Sequence, residues 1–123
     1  MAYSTDQKMA IQKVLEDTEE PLKPTNLLAI ARRSTPTLGL STVYRYLKVL
    51  QKEGRVEVIE VPQSAPRYIL SKDRCSSYFL CTKCDQLFPL REESQEINSL
   101  LMTQYDVSSY QGFYYGACKE NCR

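Results

Sequence analysis

The chain contains the sequence STVYRYLKVLQKEG from Ser41 to Gly54. Apolar side chains recur in it at helical spacing, which predicts an amphipathic helix with Val43, Leu47 and Leu50 on its buried stripe. Ser41 is a favourable N-cap residue, and Gly54 suits the position just past the helix end.

Two further helices are predicted before it, over residues 5–17 and about 24–33. Pro24 suits the first helical position, because its missing N–H would have no intrahelical partner there. A hairpin is predicted after it, from strands at 56–61 and 67–70. Three short helices followed by a two-stranded ribbon are typical of a winged helix-turn-helix, with the third helix as recognition helix and the hairpin as wing.

The charge of the chain is unevenly distributed. The net charge is only +1, from 16 basic and 15 acidic residues. Between Arg32 and Arg55, however, the sequence has six basic residues and only one acidic residue, Glu53, which gives this stretch a local net charge of +5. A basic stretch of this kind suits a polyanionic partner. The alternative is a solvated helix face that happens to be basic.

Double-stranded DNA is the partner that this pattern favours. Arg45 can make a bidentate contact to guanine, and Tyr44 can touch a thymine methyl group or a phosphate. Basic residues further along would contact phosphates, which position the protein without reading sequence. The candidate DNA-binding residues of this part of the chain are Ser41, Thr42, Tyr44, Arg45, Lys48, Lys52 and Arg67. A winged helix that binds protein is the alternative.

The second half of the chain is predicted to be a small α/β unit. Its pattern indicates strands at 75–80 and 87–90, an amphipathic helix at 92–104 and a tyrosine-rich strand at 107–117. About fifty residues rarely bury enough apolar surface on their own, so this unit needs a metal, a partner chain or both. The expected fold class is α+β, with a winged-helix DNA-binding domain over 1–72 and an α/β domain over 73–123.

The spacing of the cysteines predicts a metal site in this unit. Four of the five cysteines form two close pairs, Cys81 with Cys84 and Cys118 with Cys122. Four thiolates match a closed tetrahedral zinc site, which is structural because no coordination position is open. We expect one Zn²⁺ per chain, which in small units contributes on the order of 10 kcal/mol to folding. A thioredoxin-like redox pair is the alternative for the first pair, and Cys75 could compete for the fourth ligand position.

Composition excludes several classes of function. The chain has no histidine, which removes the commonest general base and the commonest metal ligand. We therefore predict neither an enzyme nor a small-molecule substrate. No run of roughly eighteen apolar residues exists, which argues against a membrane span. Residues 1–6 have neither a basic start nor an apolar block, which argues against a secretory signal, and we expect a cytoplasmic protein.

The motif STVYRYL at 41–47, the wing and the two cysteine pairs together resemble the ferric uptake regulator family. The resemblance covers the chain from Thr5 to Cys122. It implies bacterial metal- or peroxide-responsive repressors that form homodimers through the C-terminal unit and insert winged helices into operator major grooves. It also implies DNA contacts at Tyr44 and Arg45, a basic DNA-contacting residue at Lys8, and structural zinc at the four paired cysteines.

The sequence departs from the family at the regulatory metal site, which the family builds largely from histidines and carboxylates. Residues 75–78 (CSSY) replace a histidine-rich cluster, Tyr110 replaces a further histidine, and Pro89 replaces a common carboxylate. The resemblance thus implies a regulator without the ordinary metal-sensing site, which binds DNA constitutively or responds to another signal. The fifth cysteine, Cys75, is the candidate for a redox signal; an incidental or buried cysteine is the alternative.

Overall fold

A computed structural model describes residues 5–91 and 95–119. The chain forms two compact units, which divide between Arg74 and Cys75. Within the described ranges there are four α-helices and five β-strands, so the fold class is α+β as expected. None of the described helices is long and apolar enough to cross a membrane.

The first unit consists of three helices and a hairpin. Its elements are α1 (Thr5–Asp17), α2 (Pro24–Ala31), α3 (Leu40–Lys52), β1 (Val56–Ile59) and β2 (Arg67–Leu70). The two strands pair antiparallel, with Val56 opposite Leu70. The backbone of Leu22, between α1 and α2, exchanges hydrogen bonds of 2.9 and 2.8 Å with that of Tyr68. The hairpin is therefore anchored to the helical part of its unit.

The core of this unit confirms the predicted apolar stripe of α3. Val43, Leu47 and Leu50 are buried beside apolar side chains of α1 and α2. Burying a side chain of this size stabilises the fold by about 1.5–3 kcal/mol. Tyr46 extends the stripe, because it is also buried and its hydroxyl accepts a hydrogen bond from the Gln12 amide.

The ends of α3 differ in how well the sequence predicted them. The helix begins at Leu40, and Gly39 occupies the N-cap with extended backbone and no side-chain cap. The expected N-cap at Ser41 is therefore wrong, and Ser41 lies exposed in the first turn. Gly54 has a φ of +76°, a left-handed conformation that glycine adopts without steric cost and that confirms the predicted helix end.

The second unit contains one helix and a three-stranded sheet. Its elements are β3 (Ser77–Cys81), β4 (Leu87–Leu90), α4 (Gln95–Gln104) and β5 (Gly112–Gly116). The strand order is β4-β3-β5, with β3 antiparallel to β4 and parallel to β5. Of the helix expected over 92–104, residues 92–94 lie outside the described part.

Two predicted strands of this unit are longer than the observed ones. The expected strand over 107–117 is wrong in length, because β5 has five residues and pairs with the five residues of β3 from Ser77↔Gly112 onward. No regular structure is assigned at 105–111. The strand predicted from Cys75 begins instead at Ser77, where its pairing with both neighbours begins.

Candidate DNA-binding helix and metal centre

Helix α3 presents a polar face to solvent opposite its buried stripe. Residues three and four apart lie on one face of a helix. The exposed side chains at that spacing are Ser41, Tyr44, Arg45, Lys48 and Lys52. Tyr44 is 48% exposed, and Thr42 beside this face is half-buried. This exposed face of α3 therefore offers one phenol, one guanidinium and two ammonium groups to a partner. On α1, Lys8 is also exposed.

The hairpin lies close to this face. Tyr68 on β2 is half-buried, and burial raises the pKa of its hydroxyl above the ordinary value of 10.0, with smaller upward contributions from Tyr44 and Glu60. Strand β1 also contacts α3. An electrostatic effect of Tyr44 on Tyr68 requires the two side chains to be near each other. Tyr68 on the hairpin and Tyr44 on α3 therefore lie near each other.

Arg67 is a correction to the sequence analysis. Its side chain is 1% exposed, and its Nη1 donates hydrogen bonds to Ser64 Oγ at 3.0 Å and to the Ala65 carbonyl. The guanidinium thus points into the hairpin rather than outward. The expected phosphate contact at Arg67 is therefore wrong, because a buried side chain does not reach a phosphate on a partner's surface.

Three cysteines of the second unit come together. The Sγ atoms of Cys81, Cys84 and Cys118 all lie within 4.8 Å of one another. Cys81 ends β3, and the parallel pairing of β3 with β5 brings the chain after Gly116 to the same end of the sheet. The backbone N–H and the hydroxyl of Thr82 both donate hydrogen bonds to the Gly116 carbonyl, at 2.7 and 3.0 Å. These bonds hold Cys118 beside the Cys81–Cys84 turn.

The Cys81–Cys84 turn is tight. The Asp85 N–H donates to the Cys81 carbonyl at 2.7 Å, and the Cys81 N–H donates to the Gln86 carbonyl at 3.1 Å. Asp85 has a φ of +61°, which is uncommon outside glycine but tolerated best by Asn and Asp. The turn thereby directs the sulfurs of Cys81 and Cys84 towards one point.

The surroundings of Cys81 favour its thiolate. The backbone N–H groups of Cys84 and Cys118 each donate to Cys81 Sγ at 3.4 Å. The Cys84 N–H contributes most to lowering the pKa of Cys81 from 9.0 to about 6, against the opposing effect of desolvation. The thiolate is the form that binds metal.

The cluster fits a zinc ion. Zinc with Zn–S bonds of about 2.3 Å holds tetrahedral sulfurs about 3.8 Å apart, and the three sulfurs lie within 4.8 Å of one another. The observed spacing thus exceeds the zinc-bound spacing by no more than about 1 Å. Cys81, Cys84 and Cys118 would then hold the metal and leave one tetrahedral position for a fourth ligand. The predicted fourth ligand, Cys122, lies outside the described residues.

Cys75 is not part of the sulfur cluster found among the described residues. It is half-buried; its Sγ accepts a hydrogen bond from Arg91 Nη1 at 3.1 Å, and its N–H donates to the Tyr78 hydroxyl at 2.8 Å. The structure thus gives no support to Cys75 as the fourth zinc ligand. The Arg91 contact could not be predicted from the sequence, because the two residues are 16 positions apart. A redox role for Cys75 stays a prediction.

The positions where the family resemblance implied histidines and a carboxylate are filled differently here. Tyr78 is fully buried, lies opposite Pro89 in the antiparallel pairing, and stacks on Phe113 with ring centroids 6.2 Å apart. Tyr110 is 41% exposed. The chain has no histidine at all. An apolar contact and a phenol therefore take the place of metal-binding groups at these positions.

Comparison with known families defines the class of protein, a metal-binding transcription regulator. The model of the ferric uptake regulator family matches residues 2–112, so the chain belongs to that family. Members of the family are transcription regulators rather than enzymes.

Among curated relatives, the chain is 23% identical over 121 residues to the ferric uptake regulation protein of Bacillus subtilis (strain 168), covering 93% of this chain and 81% of that protein. It is 22% identical over 120 residues to the peroxide-responsive repressor PerR of Staphylococcus epidermidis, covering 94% and 79%.

Solved structures show the same fold. The Helicobacter pylori ferric uptake regulator Fur, described with three functional metal binding sites, matches with a TM-score of 0.74 at 22% identity, over 95% of this chain and 80% of that one. A zinc-bound manganese uptake regulator matches with a TM-score of 0.79 at 20% identity, over 96% and 91%. At these identities the likeness concerns the fold alone.

Proposed function

We propose that the chain is a homodimeric, sequence-specific DNA-binding repressor that carries structural zinc and acts in the cytoplasm. Residues 1–72 would form a winged-helix DNA-binding domain, and residues 73–123 a zinc-binding dimerisation domain. The observation that carries this proposal is the exposed face of α3, where Tyr44, Arg45 and Lys48 lie opposite a buried stripe. A helix of this form can enter the major groove of an operator.

The contacts divide by what each group can recognise. The Arg45 guanidinium can form two hydrogen bonds with guanine, and the Tyr44 ring can pack on a thymine methyl group. Lys48 and Lys52 would pair with phosphates one and two turns further along α3, and Lys8 on α1 would add a further contact. Ser41 and Thr42 at the start of α3 would donate to the DNA backbone.

The zinc would be held by Cys81, Cys84, Cys118 and Cys122, one ion per chain. Three of these sulfurs already converge. When bound, a zinc ion in a closed cysteine site supplies cross-linking rather than catalysis. It would join the end of β3 to the segment after β5 at one end of the sheet, and so stabilise a unit too small to be stable alone.

The dimer contact is proposed at β5. This strand lies at the edge of the described sheet, and its Tyr114 and Tyr115 are 60% and 50% exposed. Leu100 on α4 is also largely exposed. An edge strand with exposed aromatic side chains favours pairing with a second copy.

Replacing Tyr114 with lysine tests the dimer contact. A charge there would be desolvated at the interface, so the dissociation constant of the dimer should rise at least about tenfold. Sedimentation equilibrium measures this constant. The control is Met9→Lys on α1, which replaces an equally exposed apolar residue (61%) in the other unit. Equal dimer stability in the wild type and both variants would contradict the assignment.

Regulation is proposed not to use the family's ordinary metal-sensing site. Tyr78 lies between Pro89 and Phe113 in the sheet. These apolar contacts stand where the resemblance to the family implied metal ligands. DNA binding would then be constitutive or respond to a signal other than a metal.

DNA binding itself is tested by selection from a random-sequence duplex library with the zinc-loaded wild-type protein. The proposal expects enrichment of one family of sequences, and an affinity for them that falls steeply as salt concentration rises. A library that shows no enrichment would favour a protein-binding role for the winged helix and contradict the proposal.

A further inference from the structure

The turn between α2 and α3, residues 32–39, is closed by the side chain of its own first residue. The Thr35 N–H donates to the Ala31 carbonyl at 3.0 Å, and the Leu38 N–H donates to the Thr35 carbonyl at 3.1 Å. The Nε–H of Arg32 reaches across the turn and donates to the Leu38 carbonyl at 2.7 Å. The side chain of Leu38 is fully buried. The guanidinium of Arg32 is therefore bonded to a point of the turn that packing holds in place.

The bond to Leu38 uses only one donor of the guanidinium. A guanidinium has five N–H donors in one rigid plane, and the two Nη atoms carry the other four. Arg32 is exposed, and within residues 5–91 and 95–119 it makes no other hydrogen bond or ion pair. Its Nη groups therefore offer a positive charge and several donors to a partner, at a position that the Nε–H bond fixes.

Arg33 provides a comparison in the same turn. It is also exposed, but its side chain has no hydrogen bond or ion pair in the part of the chain that the structure describes. A side chain of this kind loses rotamer freedom when it binds a partner, whereas one already held in place loses less. Two adjacent arginines of equal charge thus differ in whether the guanidinium is preorganised.

The guanidinium of Arg32 lies beside the start of α3. Arg32 is the C-cap of α2, and Leu38 precedes the first residue of α3 by two positions and Ser41 by three. Three residues of chain span at most about 11 Å, which limits the distance between Leu38 and Ser41. A recognition helix inserts its N-terminal residues into a major groove about 12 Å wide, and the preceding helix crosses the DNA backbone. A cation held at this place would face the phosphates at the wall of the groove.

We propose that Arg32 contacts a phosphate at the wall of the major groove that α3 enters, and that its bond to Leu38 makes it a positioning residue for this helix. This inference rests on the proposed DNA-binding function. Phosphate contacts fix the register and orientation of a protein on the duplex without reading its sequence. Because the guanidinium is bonded to the carbonyl two residues before α3, its phosphate contact also fixes the start of the helix. The reach of Arg45 to the bases then depends on Arg32.

Neutral backbone linkages locate this contact. In a methylphosphonate linkage a methyl group replaces one charged phosphate oxygen, so the linkage loses its charge while the bases stay the same. The phosphates that flank the bases contacted by Arg45 are replaced one at a time in the duplex selected by the zinc-loaded wild type. The wild type should lose about tenfold or more in affinity at one or more of these linkages, because hydrogen bonds between charged groups are strong.

Arg32→Ala assigns the sensitive linkage. This variant should lose about tenfold or more on the unmodified duplex, with a salt slope lower by about 1. It should bind the unmodified duplex and the sensitive methylphosphonate duplex within about twofold of each other, because the charge pair is already lost. Insensitivity at one particular linkage is a readout that a merely structural role would not change.

Arg33→Ala is the matched control, since it removes an equal charge one residue away. Because the Arg33 side chain is not preorganised, its removal should cost less than about threefold in affinity. Arg33→Ala should keep the wild-type sensitivity at the linkage that Arg32→Ala no longer senses. Circular dichroism should show wild-type helix content in both variants, because both side chains are exposed.

Arg32→Lys separates charge from geometry. A lysine ammonium is a point charge on a flexible stem, so it cannot bridge a phosphate and the Leu38 carbonyl in one fixed plane. The variant should keep the wild-type salt slope and still lose about fivefold or more on the selected duplex. Its loss on a duplex of mixed sequence should be smaller, because there Arg45 reads no base. Wild-type affinity of Arg32→Lys for both duplexes would overturn the positioning role.

Two results would overturn the phosphate contact of Arg32. One is an Arg32→Ala variant that is as sensitive as the wild type at every substituted linkage. The other is an Arg33→Ala variant that loses the same affinity and the same sensitivity as Arg32→Ala. If Arg45→Ala weakens binding in the same assay, DNA binding by α3 stands and only the inference about Arg32 fails. If the wild type selects no duplex, the proposed function fails and this inference with it.

Discussion

Replacing Cys81 with serine is expected to remove the bound zinc and unfold the second unit. Cys81 Sγ lies within 4.8 Å of two other cysteine sulfurs and accepts hydrogen bonds from the N–H groups of Cys84 and Cys118. Its loss therefore breaks the link between β3 and the segment after β5. Structural zinc sites contribute on the order of 10 kcal/mol, more than a unit of this size has to spare.

Native mass spectrometry and thermal unfolding measure this effect. The wild type should carry one zinc per chain and be dimeric, whereas Cys81→Ser should be metal-free, largely monomeric and without a cooperative transition for the second unit. Cys75→Ser is the matched control, because Cys75 lies outside the cluster among the described residues; it should keep zinc and dimer. Cys81→Ser with one zinc per chain and wild-type unfolding would contradict the cysteine site.

Replacing Arg45 with alanine is expected to give the largest loss of sequence-specific DNA binding. Arg45 is exposed on α3 next to Tyr44, on the face opposite the buried Val43. A bidentate arginine–guanine contact is worth about 1–3 kcal/mol of discrimination, which is roughly 5- to 150-fold in affinity. The loss should appear on the selected duplex, with little change on a duplex of mixed sequence.

Lys48→Ala is the matched control for Arg45→Ala, since it removes a neighbouring cation from the same face of α3. A phosphate contact carries no sequence information. Lys48→Ala should therefore weaken binding to both duplexes alike and reduce the salt slope by about 1. Fluorescence anisotropy at several salt concentrations measures both quantities. Equal losses on both duplexes for Arg45→Ala would show that the residue contacts only the backbone.

Most of the first unit could be predicted from the sequence, because its elements have a clear apolar period. The stripe of Val43, Leu47 and Leu50 identified α3, and the conformation of Gly54 confirmed where it ends. The start of α3 was missed because Ser41 is a good N-cap residue by type, while Gly39 occupies that place. The preference of single residues for the N-cap position does not locate the start of a helix to within one or two residues.

The charge of Arg67 led to a wrong prediction of its position. Its residue type suggested an exposed phosphate contact, but it shares a face of β2 with the buried Ile69. Side chains two apart in a strand point to the same side, but Tyr68 and Leu70 make the other face of β2 equally apolar, so the sequence did not decide which face is buried. The sequence also could not show which groups accept hydrogen bonds from the guanidinium, because Ser64 and Ala65 come close to it only when the loop has formed.

The three clustered cysteines, Cys81, Cys84 and Cys118, were predictable as residues, but the way in which they come together was not. The spacing of Cys81 and Cys84 indicated a metal-binding turn by itself. The approach of Cys118, 34 residues beyond Cys84, depends on the parallel pairing of β3 with β5. Parallel pairing joins residues that are far apart in the chain, so no local sequence pattern predicts it.

The most direct test of the whole account is the affinity of the zinc-loaded dimer for its selected duplex with and without added Fe²⁺, Mn²⁺ or Zn²⁺. Native mass spectrometry of the same samples counts the ions bound per chain. The account predicts one zinc per chain throughout and affinities that agree within about twofold, a difference well below the roughly 5- to 150-fold range typical of allosteric coupling. A second ion per chain, with an affinity increase of about tenfold or more, would contradict it and show that the chain retains a metal-sensing site.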